Sequence, residues 1–149
     1  MSITNAYPRD ANNFPIIDKD GLIISKSVTF AALTTGAVGV HTLFTISGPC
    51  VAKVIGYCSV DVTGSGTIEV GIAGDTSALI AQTTGSNITA GKFWTTNTPA
   101  IDMADNSGKA LALSIAYKVT TDTLTAGTVT FYCFWRPLGV DSTCVCVAA

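Results

Sequence analysis

The sequence predicts an all-β chain: an antiparallel β-sandwich or jelly-roll-like domain preceded by an extended N-terminal arm. Three observations lead there. Apolar residues recur with a period of two over several long stretches, as they do when one face of a strand enters a core. These stretches are divided by Gly, Asn, Asp and Pro clusters at intervals of roughly 8–15 residues, with no long helical period and no internal repeat. Finally, 149 residues with 48% hydrophobic content suffice for one core without metal or disulfide support.

Residues 1–21 form the arm. They hold Pro8 and Pro15, three Asn and three Asp, with Tyr7, Phe14, Ile16 and Ile17 as isolated apolar positions. This composition opposes both helix and central strand. It suits a segment that orders against a partner, with those four side chains as anchors.

Residues 22–140 are the expected sandwich domain. LIISKSVTFAAL (22–33) opens it and VHTLFTIS (40–47) follows, closed by Gly48 and Pro49. In VAKVIGYCSVDV (51–62), Cys50, Ala52, Val54, Gly56, Cys58, Val60 and Val62 fall on one face. The turn Thr63-Gly64-Ser65-Gly66 then reads as a hairpin into TIEVGIA (67–73), because Gly supplies the positive φ of tight turns. Ile68, Val70 and Ile72 alternate there with Thr67, Glu69 and Gly71, which places Glu69 outward in solvent. Residues 75–82 admit a short strand or one helical turn capped by Asp75 but read best as irregular, and 83–102 as a long loop around Phe93 and Trp94, with room for a short strand. ALALSIAYKV (110–119) sets Leu111, Leu113, Ile115 and Tyr117 on one face. TVTFYCFWRPL (128–138) is apolar on both faces, so Phe131, Phe134 and Trp135 belong to the core or to an oligomer interface. Residues 141–149 remain as a C-terminal tail.

Charge excludes several functions. A net charge of -2 and eight scattered Lys and Arg leave no basic footprint for nucleic acid. No apolar run approaches the roughly 20 residues of a membrane helix, and no basic amphipathic segment points to a membrane surface. The polar start MSITNAYPRDANNFP is unlike a secretory signal, so synthesis in a cytoplasm is expected. Only 12% of residues are charged, about half the usual share. Self-association or docking would cover such a surface; a Thr- and Ser-rich exterior would also account for it.

The residues of chemistry form no motif. One His and one Glu are present, and His41 reads as a strand-end ring without triad partners, so no enzyme is expected. No cofactor fingerprint occurs. The five cysteines are odd in number. Cys50, Cys58 and Cys133 lie in apolar runs as small hydrophobes, and Cys144 and Cys146 form a C-x-C without the further ligands of a metal site. Those two thiols are expected to be bridged or plainly reduced. Residues 18–21 and 102–106 carry oxygen donors but match no calcium loop, and Asx turns explain them. Asn87-Ile88-Thr89 is a sequon matched by chance. Phe93 and Trp94 read either as a sugar-stacking platform or as a pair tucked under their own loop.

The arm NAYPRDANNFPIIDKDG, the stretch VAKVIGYCSVDVTGSGTIEVG and the terminal strand AGTVTFYCFWRPL together resemble the decoration, or cement, proteins of tailed-bacteriophage heads. The resemblance implies a homotrimer on the outer capsid surface. There it would join neighbouring major capsid proteins as a structural virion component, with no cofactor, nucleic acid or membrane as partner. Tyr7, Phe14, Ile16 and Ile17 would then be capsid-binding anchors. A receptor- or glycan-binding module of a tail fibre or spike is the alternative.

Overall fold

The computed structural model describes residues 11, 22–104 and 108–147, and the arm anchors Tyr7, Phe14, Ile16 and Ile17 lie outside them. Among the described residues, ten strands build two facing sheets. They are β1 (Leu22–Thr29), β2 (Gly39–Ser47), β3 (Cys50–Gly64), β4 (Thr67–Ile72) and β5 (Asp75–Thr84), then β6 (Phe93–Trp94), β7 (Lys109–Leu111), β8 (Ile115–Thr120), β9 (Leu124–Pro137) and β10 (Thr143–Cys146). Sheet one has the order β1-β9-β3-β6, with β7 beside β6 on the same edge of β3; sheet two has the order β10-β2-β8-β4-β5. All pairings are antiparallel. With β6 and β7 taken as one broken edge and β10 as an addition, these are the strand orders of a jelly roll, in which the chain crosses between sheets at nearly every connection.

The core lies between the sheets. Sheet one contributes Ile24, Val28, Val54, Cys58, Val129, Phe131, Cys133 and Trp135; sheet two contributes Leu43, Phe44, Ile68, Val70, Ile115, Tyr117 and Val119. The rings of Tyr117 and Phe131 stack across the gap, centroids 6.0 Å apart and nearly parallel. Trp94 is also fully buried, and its indole N–H donates to Thr83 Oγ1 at 2.8 Å, tying β6 of sheet one to β5 of sheet two. Residues 143–146, set apart above as a tail, form the edge strand β10, with Cys144 buried.

Several local expectations are corrected. The turn at 63–66 is no hairpin: β3 and β4 lie in different sheets. Its glycines serve close approach at that corner, since a Cβ on Gly64 would sit 2.4 Å from the Thr123 carbonyl oxygen and one on Gly66 2.1 Å from that of Asp122. The hairpin is the next turn, where Gly74 takes φ 90° between the paired Ile72 and Asp75. Residues 75–84 are therefore strand rather than irregular. A bulge against β4 spaces the buried Ile80 and Thr83 three apart, which hides the period of two.

A register shift likewise turns Val60 out of the β3 core face, leaving it 54% exposed while Val62 returns inward. In β2 a bulge buries both Leu43 and Phe44. The run 110–119 splits into β7 and β8 in opposite sheets, so Leu111 and Ile115 are buried in different layers and Leu113 between them is exposed. Glu69 points away from the core as expected, yet it is buried rather than solvated. Thr76 Oγ1 donates to its carboxylate at 2.5 Å, and Lys118 is its cross-strand partner.

Candidate docking surface

The outer face of sheet one is assembled by register. Ile23 of β1 pairs with Phe134 of β9, which pairs with Lys53 of β3; one step along, Ser25, Tyr132 and Ile55 lie abreast; then Ser27, Thr130 and Tyr57, with Phe93 of β6 beside Tyr57. Because side chains alternate, residues two apart share a face, and these all point away from the core. Ile23 is 58% exposed, and Tyr132 and Phe93 only about a third. Phe134, Ile55 and Tyr57 are half-buried. Tyr57 and Phe93 rings lie 5.1 Å apart, and the Lys53 ammonium sits 5.0 Å from the centroid of Phe134.

This face has two ends of different character. The apolar, aromatic end lies beside Leu22, where residues 1–21 join β1. At the other end hydroxyls pair across strands: Ser27 with Thr130 at 2.6 Å, Thr29 with Thr128 at 3.1 Å, and Thr63 with Thr125 at 2.9 Å. Such pairs let a surface do without charge. Hydroxyl pairs of this kind account for part of the low charge.

The described surface also carries two hollows. One of about 530 Å³ lies on the outer face of sheet two, walled by Val40, Thr42, Gly71, Leu113, Ala116 and Lys118. The other, about 330 Å³ and polar, is walled by Ser86, Asn87, Thr89, Lys92, Asn97 and Thr98.

The other candidates resolve as follows. Phe131 and Trp135 are core, whereas Phe134 belongs to the outer face. Trp94 is buried, so the Phe93–Trp94 pair does not form a platform; Phe93 pairs with Tyr57 instead, a contact across 36 residues that no local pattern announces. The His41 ring stacks on Tyr117 at 4.8 Å, and its Nε2 donates to the Ala37 carbonyl at 2.8 Å, which sets the tautomer. Asp102 is exposed, and residues 105 and 106 of that acidic stretch lie outside the described residues, as do 18–21. Among the described residues no cluster of three His, Cys, Asp or Glu could hold a metal ion, and no helix is long and apolar enough to cross a membrane.

None of the five cysteines is in a disulfide. Burial pushes Cys50 up to about 11 and raises Cys58; burial also raises Tyr117, whose hydroxyl donates to the Thr35 carbonyl at 2.7 Å. For Cys50 the unfolded thiol ionises near 9.0 while the folded one stays neutral to about 11. Its contribution to stability is therefore complete below pH ~9 and is lost as pH rises from there to about 11, because within that range the unfolded chain binds fewer protons than the folded one. Melting temperature is expected to fall between pH 9 and 11, and Cys50→Ala to flatten that fall; an equally steep decline in the variant would discount the thiol.

No protein family, curated protein or solved structure matches this chain.

Proposed function

We propose that this chain is a structural virion protein that binds the outer surface of a bacteriophage capsid as a homotrimer and strengthens contacts between major capsid proteins. It acts through its surface and not through a reaction centre. The observation that carries this reading is the apolar end of the sheet-one face, formed by Ile23, Ile55, Tyr132 and Phe134. Contiguous patches of this kind mark interaction sites. Its position supports the reading further. The chain enters β1 at Leu22, one residue before Ile23, so the arm is joined in sequence to the apolar end of this face. A rigid sandwich supplies the flat apolar contact, and an arm rich in Asn, Asp and Pro adds reach over a lattice. Three copies on one trimer multiply modest contacts through high effective concentration.

Two measurements test it. Sedimentation equilibrium is expected to give a mass near three times 15.3 kDa, and a monomer at micromolar concentration would remove the trimer from the reading. Purified protein is expected to bind capsids that lack it at saturable, symmetry-related positions.

The alternative, a receptor- or glycan-binding module of a fibre or spike, draws on the polar hollow beside Phe93, whose Asn, Thr, Ser and Lys side chains suit a sugar's hydroxyls. Glycan-array binding lost on Asn97→Ala, together with indifference to capsids, would favour it.

A further inference from the structure

Four of the five cysteines gather at one corner of the sandwich, although 96 residues separate the first from the last. Cys133 lies on the inner face of β9, flanked in register by Ile24 of β1 and Val54 of β3. Cys144 lies on the inner face of β10, opposite Ile46 of β2. Both are fully buried. The Cys146 thiol donates to the Ser25 carbonyl at 3.1 Å, which draws β10 across the open side of the sandwich to β1, next to the Ile24 that flanks Cys133. That contact lays Cys144 over Cys133, and the two thiols are within hydrogen-bonding reach of each other.

We propose that Cys133 and Cys144 form a reversible disulfide that staples β10 of sheet two to β9 of sheet one. The pairing joins facing sheets, so each sulfur approaches the other across the core. Cys144 and Cys146 are poorer partners for each other. Two residues apart on one extended strand, their Cα atoms are separated by roughly 6.6 Å, near the upper limit for a disulfide, with side chains directed the same way.

The chemistry needs a two-electron oxidant, and a small-molecule disulfide supplies it. The Cys144 thiolate attacks one sulfur of that disulfide, whose S–S bond breaks and releases one small thiolate. The Cys133 thiolate then attacks the Cys144 sulfur, forming the protein S–S bond and releasing the second small thiolate. The two protein protons end on the released thiols, and the protein has lost two electrons. The hydrogen bond with the Cys144 thiol, then burial, raise the pKa of Cys133, and with both sulfurs fully buried neither meets an oxidant in the closed state. Oxidation is therefore gated by release of β10, a four-residue edge strand whose ladder partner is β2 alone. Once formed, the bridge holds that strand closed. The device does not depend on the capsid reading.

The test uses the full chain. Reduced protein is incubated with oxidised glutathione, denatured, alkylated, cleaved before Asp141 and mapped by mass spectrometry. The expected result is a fall from five alkylated cysteines to three, a peptide pair linking Cys133 to Cys144, and a melting temperature higher by on the order of 5–10 °C that dithiothreitol reverses. Cys146→Ser is expected to keep the bridge, and Cys144→Ser to lose both the link and the temperature shift. Should Cys144→Ser fail to fold, the map of the unaltered chain decides alone. Five free thiols after exposure through a thermal cycle, or a link from Cys144 to Cys50 or Cys146, overturns the proposal.

Discussion

Phe131→Ala is expected to cost about 3–5 kcal/mol of stability, which lowers the melting temperature by on the order of 10 °C. The ring is fully buried at the centre of the sandwich, where it stacks on Tyr117 from the opposite sheet and meets the edge of Trp94. Its removal leaves a cavity bounded by β-strands that are hydrogen-bonded on both sides, and such walls collapse poorly. Phe134→Ala, three residues along the same strand, is expected to cost less than ~1 kcal/mol, because that ring stands on the outer face against Lys53. Thermal unfolding followed by circular dichroism compares the two directly. A larger loss from Phe134 would mean that the outer face, not the inner, carries the packing of β9.

The contrast between these two phenylalanines also shows what the sequence could reveal. Strict alternation made the inner faces of β3 and β9 readable, because a side-chain period of two sorts residues whether or not the partner strand is known. It failed where the backbone broke that period. The bulges at Ser59–Val60 and Thr42–Phe44, and the spacing of Ile80 and Thr83, each insert residues that alternation cannot count. It failed again at residues 112–114, where the chain changes sheets without losing its apolar rhythm. The Thr63–Gly66 turn was misread for a related reason: glycine permits both a tight hairpin and a corner pressed against Asp122 and Thr123, and only the tertiary neighbour distinguishes them.

The apolar outer face of sheet one was legible only in part. An apolar outer side on β9 was evident, but the cross-strand neighbours that make it a patch come from residues 23, 55, 57 and 93, and registry between distant strands leaves no local trace. The Cys133–Cys144 approach was hidden in the same way, since β10 looked like a tail.

Placing carboxylates in that patch is expected to weaken capsid binding strongly while sparing the fold. In the double variant Ile23→Asp and Tyr132→Asp, both side chains change where they are already partly wet, so circular dichroism and melting temperature should stay close to those of the unaltered chain. On a capsid the same carboxylates would be desolvated without partners, at about 1–3 kcal/mol each. Their sum, about 2–6 kcal/mol, corresponds to a loss of affinity of at least about thirtyfold. Repetition over three copies deepens it. Ala81→Asp, exposed on β5 of the opposite sheet, is the control expected to bind normally. Deleting residues 1–21 is expected to weaken capsid binding at least tenfold in a protein that remains a folded trimer, because Tyr7, Phe14, Ile16 and Ile17 each bring on the order of 1.5–3 kcal/mol of burial before ordering costs are subtracted. The two variants separate arm from face. Loss on truncation with normal binding by the double variant would assign the contact to the arm alone, and the reverse would assign it to sheet one. If both bind bare capsids as well as the unaltered chain does, the capsid reading fails and the polar hollow walled by Asn87, Lys92 and Asn97 becomes the surface to probe.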